Sequence, residues 1–155
     1  MSPQQAAQIY FNLVQTLIDE LWLTFTVIMT VLLLLGRSLL EIGSLKSKVS
    51  RHIATKNIFQ FVITCICFFA VGHALSTEAF GGFYGSEQYL TIGYTRADFS
   101  NWALIFLACW HCVSIASCSL AERTRTSIHN ALAVLISSCL FPVVVSWTWG
   151  GGWLS

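Results

Sequence analysis

Apolar residues dominate four long stretches of this chain, and the polar positions between them are short and clustered. From Leu21 to Gly36 there is no charged residue at all. Arg37 then interrupts, and Leu39, Leu40, Glu41 and Ile42 follow, so a first membrane span is expected from about Leu21 to Ile42. A second is expected from about Ile58 to Leu75, a third from about Phe99 to Ala121 and a fourth from about Ile128 to Trp147. Residues 1–20 form a lead-in, in which Tyr10, Leu13, Val14, Leu17 and Ile18 recur at helical spacing with Gln, Asn and Asp between them. Such a stripe lies in the headgroup region, extends the first span, or packs on neighbouring helices. Gly81, Gly82 and Gly85 break any helix in the long loop after the second span, where Phe and Tyr suit an interfacial belt. Pro142 falls near the far end of the fourth span, and the glycines of Trp149-Gly-Gly-Gly-Trp153 end it. The expected fold is all-α: an integral membrane bundle of about four transmembrane helices.

Composition strengthens this reading. Of 155 residues, 55% are hydrophobic and 10% charged, against about 25% charged in a soluble domain. The net charge of +1 gives no footprint for nucleic acid. The first 36 residues hold no Lys or Arg, so no cleavable address is expected. Lys46, Lys48, Arg51 and Lys56 lie between the first and second spans, Arg123 and Arg125 between the third and fourth, and Arg96 alone in the remaining loop. The basic loops should face the cytoplasm, or the matrix in an organelle, with both termini on the other side.

The residues with chemistry are few. Cys109-Trp-His111-Cys112 has metal or redox spacing, but the six cysteines all sit in apolar runs and read first as small packing residues. Neither a metal nor another cofactor is expected. Arg37 and Glu41, four apart, share a helix face; they are candidates for an internal pair or for docking a partner subunit or a lipid headgroup. Ser114/Cys118 and Ser117/Ala121 form small-xxx-small faces for close helix approach. His111 reads as a packed histidine, His52 and His73 as interfacial, and Glu122 as a cap or a partner of Arg123. No paired carboxylates, nucleophile–base set or phosphate-cradling loop is present, so an enzyme is not expected.

Four segments together carry a resemblance. Leu39-Leu-Glu-Ile-Gly-Ser-Leu-Lys-Ser-Lys48, then Lys56-Asn57, Ser119-Leu-Ala-Glu-Arg-Thr124, and Phe141-Pro-Val-Val with Trp147-Thr-Trp-Gly-Gly-Gly-Trp-Leu154 resemble, in order and spacing, the ammonium transporter, methylammonium permease and Rhesus family. The resemblance covers residues of about 20 to 155, so a lead-in over 1–20 precedes a truncated transporter-like domain over 21–155. It implies a share of the first half of an eleven-helix bundle built from two inverted repeats, with the substrate path between the halves. The family's twin pore histidines, and the aspartate after its Trp-Gly-Gly-Gly turn, are expected to have no counterpart here. The resemblance places the outer-gate phenylalanines at Leu104 and Ala108, and the vestibule tryptophan, which can hold a cation over its face, at Trp149. Gln60 stands where a family aspartate is common, and Arg37 where the family has a phenylalanine.

Two functions follow as expectations. One is a transport-inactive structural subunit of a larger membrane complex, for which an energy-transducing complex is a candidate. The other is half of a split or oligomeric ammonium channel, with ammonium as its substrate. A third reading, a fragment of an ordinary transporter, fits poorly with altered residues at Leu104, Ala108 and Arg37. The expected partners are the lipid bilayer and other membrane subunits, with no nucleic acid. The resemblance points to the plasma membrane, and a role as a complex subunit to the mitochondrial inner membrane.

Overall fold

The computed structural model describes residues 3–44, 47–76, 79–80, 84–85, 96–120 and 124–154. Four of its helical stretches are long and apolar enough to cross a membrane: Ala7–Ser44, Ser50–Ser76, Asp98–Cys118 and Thr126–Thr148. The expected all-α membrane bundle is therefore the fold, and its four spans fall where the hydropathy pattern places them.

The first helix, α1 (Pro3–Ser44), is 42 residues long. It runs through residues 20 and 21 without a break, so the lead-in and the first span are one rod of about 63 Å. Every described side chain from residue 4 to residue 22 is exposed. Only beyond that does α1 meet the bundle, through Val27, Val31 and the buried Leu34.

The second span starts as α2 (Ser47–Cys67), passes through a π-helical turn (Phe68–Gly72) and ends as α3 (His73–Ser76). It begins about three turns before the apolar run at Ile58, so Lys56 is a residue of the span and not of a loop. An antiparallel rung follows, β1 (Ala79–Phe80) on β2 (Tyr84–Gly85); Gly81 and Gly82 lie outside the described residues. The third span is α4 (Arg96–Cys118). The fourth repeats the plan of the second: α5 (Thr126–Leu135), a π turn (Ile136–Leu140) and α6 (Phe141–Thr148). The second π turn ends beside Pro142, whose ring nitrogen has no proton to give. The i→i+5 bond from Phe141 N to Ile136 O resets the ladder there.

The two π turns face each other. A Cβ added at Gly72 would lie 2.5 Å from the Ser137 carbonyl oxygen and 2.7 Å from Cδ2 of Phe68. Only a glycine lets the second and fourth spans approach this closely. Around this contact lies an aromatic core. Phe68 is fully buried, with ring centroids 6.2 Å from Trp102, 6.1 Å from Phe106 and 6.3 Å from Phe141. Trp102 stacks on Phe106 at 5.3 Å. In lipid, where moving apolar surface inward gains little, such packing is what associates helices.

At the far end of the fourth span the chain folds back. Trp149 N donates to Val145 O, and Leu154 N to Trp147 O. Gly151 takes φ +72°, and a Cβ on Gly152 would meet Trp147 Cα at 2.7 Å, so these two glycines have a geometric reason. Trp147 and Trp153 meet edge to face.

Candidate functional site

The ends of α1 and α4 and the beginnings of α2 and α5 lie at one end of the bundle, where the antiparallel spans are joined by the basic loops. Each sends polar side chains inward there. Lys56 Nζ donates to Glu41 Oε1 at 2.7 Å and to Ser117 Oγ at 3.1 Å. Asn57 Nδ2 donates to Glu41 Oε2 at 2.9 Å. Ser117 Oγ donates to Gln60 Oε1 at 3.0 Å, and Gln60 Nε2 donates to the His129 carbonyl at 3.2 Å. Nδ1 of His129 lies 3.0 Å from Ser117 Oγ, and its Nε2 lies 2.8 Å from Thr124 Oγ1. Glu41, Lys56, Gln60, Ser117 and His129 are all buried.

Local sequence explains the arrangement. Lys56 and Gln60 are four apart on α2 and share one face. Asn57, three before Gln60, sits beside them and reaches the other carboxylate oxygen. Ser117 is small enough for α4 to approach, and its hydroxyl joins three helices. That hydroxyl has one proton, which goes to Gln60, so its lone pairs accept from Lys56 and from His129. His129 therefore carries a proton on Nδ1, while the Thr124 hydroxyl, 2.8 Å from Nε2, donates its own proton to the Leu120 carbonyl at 3.0 Å. Both carboxylate oxygens and both ring nitrogens are engaged. The cluster is an internally closed network tying four helices together, with a buried ion pair at its centre.

This changes the picture drawn for individual residues. Glu41 does not pair with Arg37; its two oxygens are taken by Lys56 and Asn57. Lys56 is buried in that ion pair and is not a loop cation, which removes one positive charge from the topological count. Arg37, half-buried one turn deeper than Glu41, directs Nη1 to the carbonyl oxygen of His111 on α4 at 3.4 Å. His111 Nδ1 finds no hydrogen-bond partner among the described residues. His73 is buried beside Phe68, three residues before the end of the second span. His52, in contrast, is exposed, with Nε2 2.9 Å from Thr126 Oγ1. Ser117 contributes its hydroxyl to the network, a larger role than that of a small packing residue. Ala121, Glu122 and Arg123 lie outside the described residues.

Leu104 and Ala108 lie on α4, half-buried on the helix that also carries Trp102 and Phe106. Trp149 stands at the opposite end of the bundle from the polar network and is 79% exposed. Cys109 is fully buried in the core while Cys112 is exposed, and both thiols are free. Among the described residues no three His, Cys, Asp or Glu side chains come together as a metal group.

His129 is the member of the network that the hydropathy pattern passed over. The available signal was the ionisable residue itself: a histidine inside an apolar span needs a partner.

Spans, buried pair and apolar surface together define a polytopic integral membrane protein. A profile of the Ammonium Transporter Family matches residues 21–155, and the chain belongs to that family. It is 28% identical over 141 residues to ammonium transporter Amt2 of Archaeoglobus fulgidus, covering 89% of this chain and 30% of that protein. It is 26% identical over 145 residues to ammonium transporter 1 member 3 of Solanum lycopersicum, covering 89% of this chain and 31% of that protein. A putative ammonium transporter of Synechocystis is 30% identical over 140 residues, covering 88% of this chain and 26% of that protein. The chain thus spans about 30% of the length of the first of these relatives.

Proposed function

We propose that this chain is a transport-inactive, non-enzymatic structural subunit of a larger membrane assembly, built on the ammonium transporter scaffold. The observation that carries the reading is the placement of Arg37. Its guanidinium is fixed against the His111 carbonyl, one helical turn from Ala108. A permanent cation beside the positions of the family's outer gate repels an ammonium ion where the family offers aromatic faces. Leu104 and Ala108 supply no ring there. Phe68, Trp102 and Phe106 pack against one another in the core between the spans.

A second reading rests on the family match itself. The relatives are named ammonium transporters, and residues 21–155 follow their pattern. Under this reading the chain is part of a split or oligomeric ammonium channel, and a separate polypeptide supplies the twin pore histidines.

Methylammonium uptake in cells lacking their own permeases separates the two. With this chain alone, uptake stays at the vector background under the subunit reading. Co-expression with candidate partner chains leaves it there as well, and the chain purifies in mild detergent within an assembly far larger than itself. Uptake supported by the chain alone removes the subunit reading; uptake only with a histidine-bearing partner establishes the second.

A further inference from the structure

Arg37 brings a cation into the bilayer that the described part of this chain does not balance. The third span, Asp98–Cys118, is 21 residues, about 31 Å of helix and so close to the thickness of a hydrocarbon core. His111 stands seven residues before its end at the basic loops, about 10 Å inside that core. The Arg37 guanidinium lies at the carbonyl of that residue. It has five N–H donors. One points to the His111 oxygen at 3.4 Å, beyond the ordinary range of about 2.7–3.2 Å. Arg37 makes no other hydrogen bond or ion pair among the described residues.

The described carboxylates are engaged or distant. Glu41, one turn away on α1, gives one oxygen to Lys56 and the other to Asn57. Asp98 lies thirteen residues before His111, about 20 Å along α4. Asp19 and Glu20 lie at least seventeen residues before Arg37, about 25 Å along α1. Glu41 and Lys56 cancel one another, which leaves the Arg37 charge over.

This cation is reachable from a neighbouring helix. Arg37 is half-buried on the flank of α1. It comes three residues after the buried Leu34 and four before the buried Glu41. It also comes four after Leu33 and three before Leu40, which are exposed. On α4, Cys112 and Ile115, next to His111 and one turn after it, are exposed as well. Arg37 therefore stands at the mouth of the groove between α1 and α4.

Depth and charge select what fills the groove. In an apolar medium a guanidinium calls for an anion whose oxygens take its paired donors. Lipid phosphates lie outside the core, more than about 10 Å from this level. A helical side chain leans toward the N-terminus of its own helix, which for α1 is toward the midplane and away from those phosphates. A second copy inserted in the same sense brings its own Arg37 to this depth, with its Glu41 already engaged. We infer that Arg37 docks a transmembrane helix of a different membrane protein in the α1–α4 groove, by pairing with an aspartate or glutamate that this helix carries at the same depth. This rests on the subunit reading and names the chemistry of the partner.

The test uses the full chain in its native membrane, with benzoylphenylalanine at Leu40, beside Arg37, and the crosslinked peptide identified by mass spectrometry. The expected product is a membrane-spanning peptide of a different protein, with an aspartate or glutamate within about two turns of the attachment point. Arg37→Met lowers the yield about tenfold or more, while the exposed Arg51→Met changes it less than about twofold. Replacing the identified carboxylate by lysine also removes the product. Combining that change with Arg37→Glu restores it, which excludes misfolding as the cause of the loss. Capture of lipid alone, of a second copy of this chain or of a helix without an acidic residue overturns the inference. So does a yield indifferent to Arg37→Met, or a charge swap that restores nothing. The size of the assembly in mild detergent is read separately. A large assembly with any of these outcomes removes this contact and leaves the subunit reading standing. A chain that migrates alone removes both.

Discussion

Replacing Lys56 by methionine is expected to destabilise the bundle by about 3–5 kcal/mol, because it leaves a buried carboxylate without its cation. The methionine fills much the same volume and adds no clash, so the loss is electrostatic. Glu41 would retain only the Asn57 amide, at a site where it is 5% exposed. Ser117 would lose a donor at the same time, leaving His129 as its remaining one. The double variant Glu41→Gln, Lys56→Met should recover most of the loss, because a neutral amide still accepts from Asn57 and needs no counter-charge. Arg51→Met and Arg125→Met, at exposed positions, should shift stability by no more than about 0.5 kcal/mol. Denaturant titration in mixed micelles, followed by tryptophan fluorescence, reads all four. A single variant at Lys56 within about 1 kcal/mol of the parent would mean that the buried pair does not hold the helices together.

Gly72→Leu is the second large effect expected. The obstruction begins at Cβ, which would meet a backbone oxygen, that of Ser137, at 2.5 Å. A flexible side-chain end could swing aside; a carbonyl inside a helix cannot do so without moving the span. Gly72→Ala should therefore already cost about 1–3 kcal/mol, the usual range for overpacking, and leucine more. The fully buried Phe68 ring lies against the same point, so its environment should change with it. Thermal unfolding in detergent, compared for Gly72→Ala, Gly72→Leu and Gly36→Ala, checks the expectation. Gly36 has open space around its Cβ direction, so Gly36→Ala should be neutral or slightly stabilising through its helix propensity. Equal responses at the two glycines would show that the second and fourth spans are not locked at this contact.

The four spans were legible because a bilayer demands length and apolarity, and both are one-dimensional properties of the chain. Their ends were less so. Ser47 to Asn57 is too polar to announce a membrane helix, yet it is helical because Lys56 and Asn57 find Glu41. That pairing joins residues fifteen and sixteen positions apart around a turn, which no periodicity within one helix displays. For the same reason Arg37 looked like the partner of Glu41: i and i+4 is the only neighbourhood a sequence makes visible. The π turns were hidden as well. Their i→i+5 bonds depend on what the opposite span presents, and Gly72 means close approach only once Ser137 is seen across from it. His129 became visible only in three dimensions, where Ser117 and Thr124 flank its ring. By contrast, the Trp149-Gly-Gly-Gly-Trp153 turn was readable outright, since the glycines stop a helix whatever surrounds them.

A π turn is in effect an α-helix with one residue too many. Deleting a residue from Phe68–Gly72 would restore the α ladder and leave the flanking segments close to their present phase, because the wide turn takes up its extra residue locally. His73 and Ser76 would keep facing the bundle interior, as Lys56 and Gln60 do, and the change would fall on the turn that brings Gly72 against Ser137. The fourth span carries the same surplus at the matching depth, before Pro142. Each span thus takes up its surplus residue on the spot, and the two widened turns meet at Gly72 and Ser137 without putting the ends of the molecule out of phase.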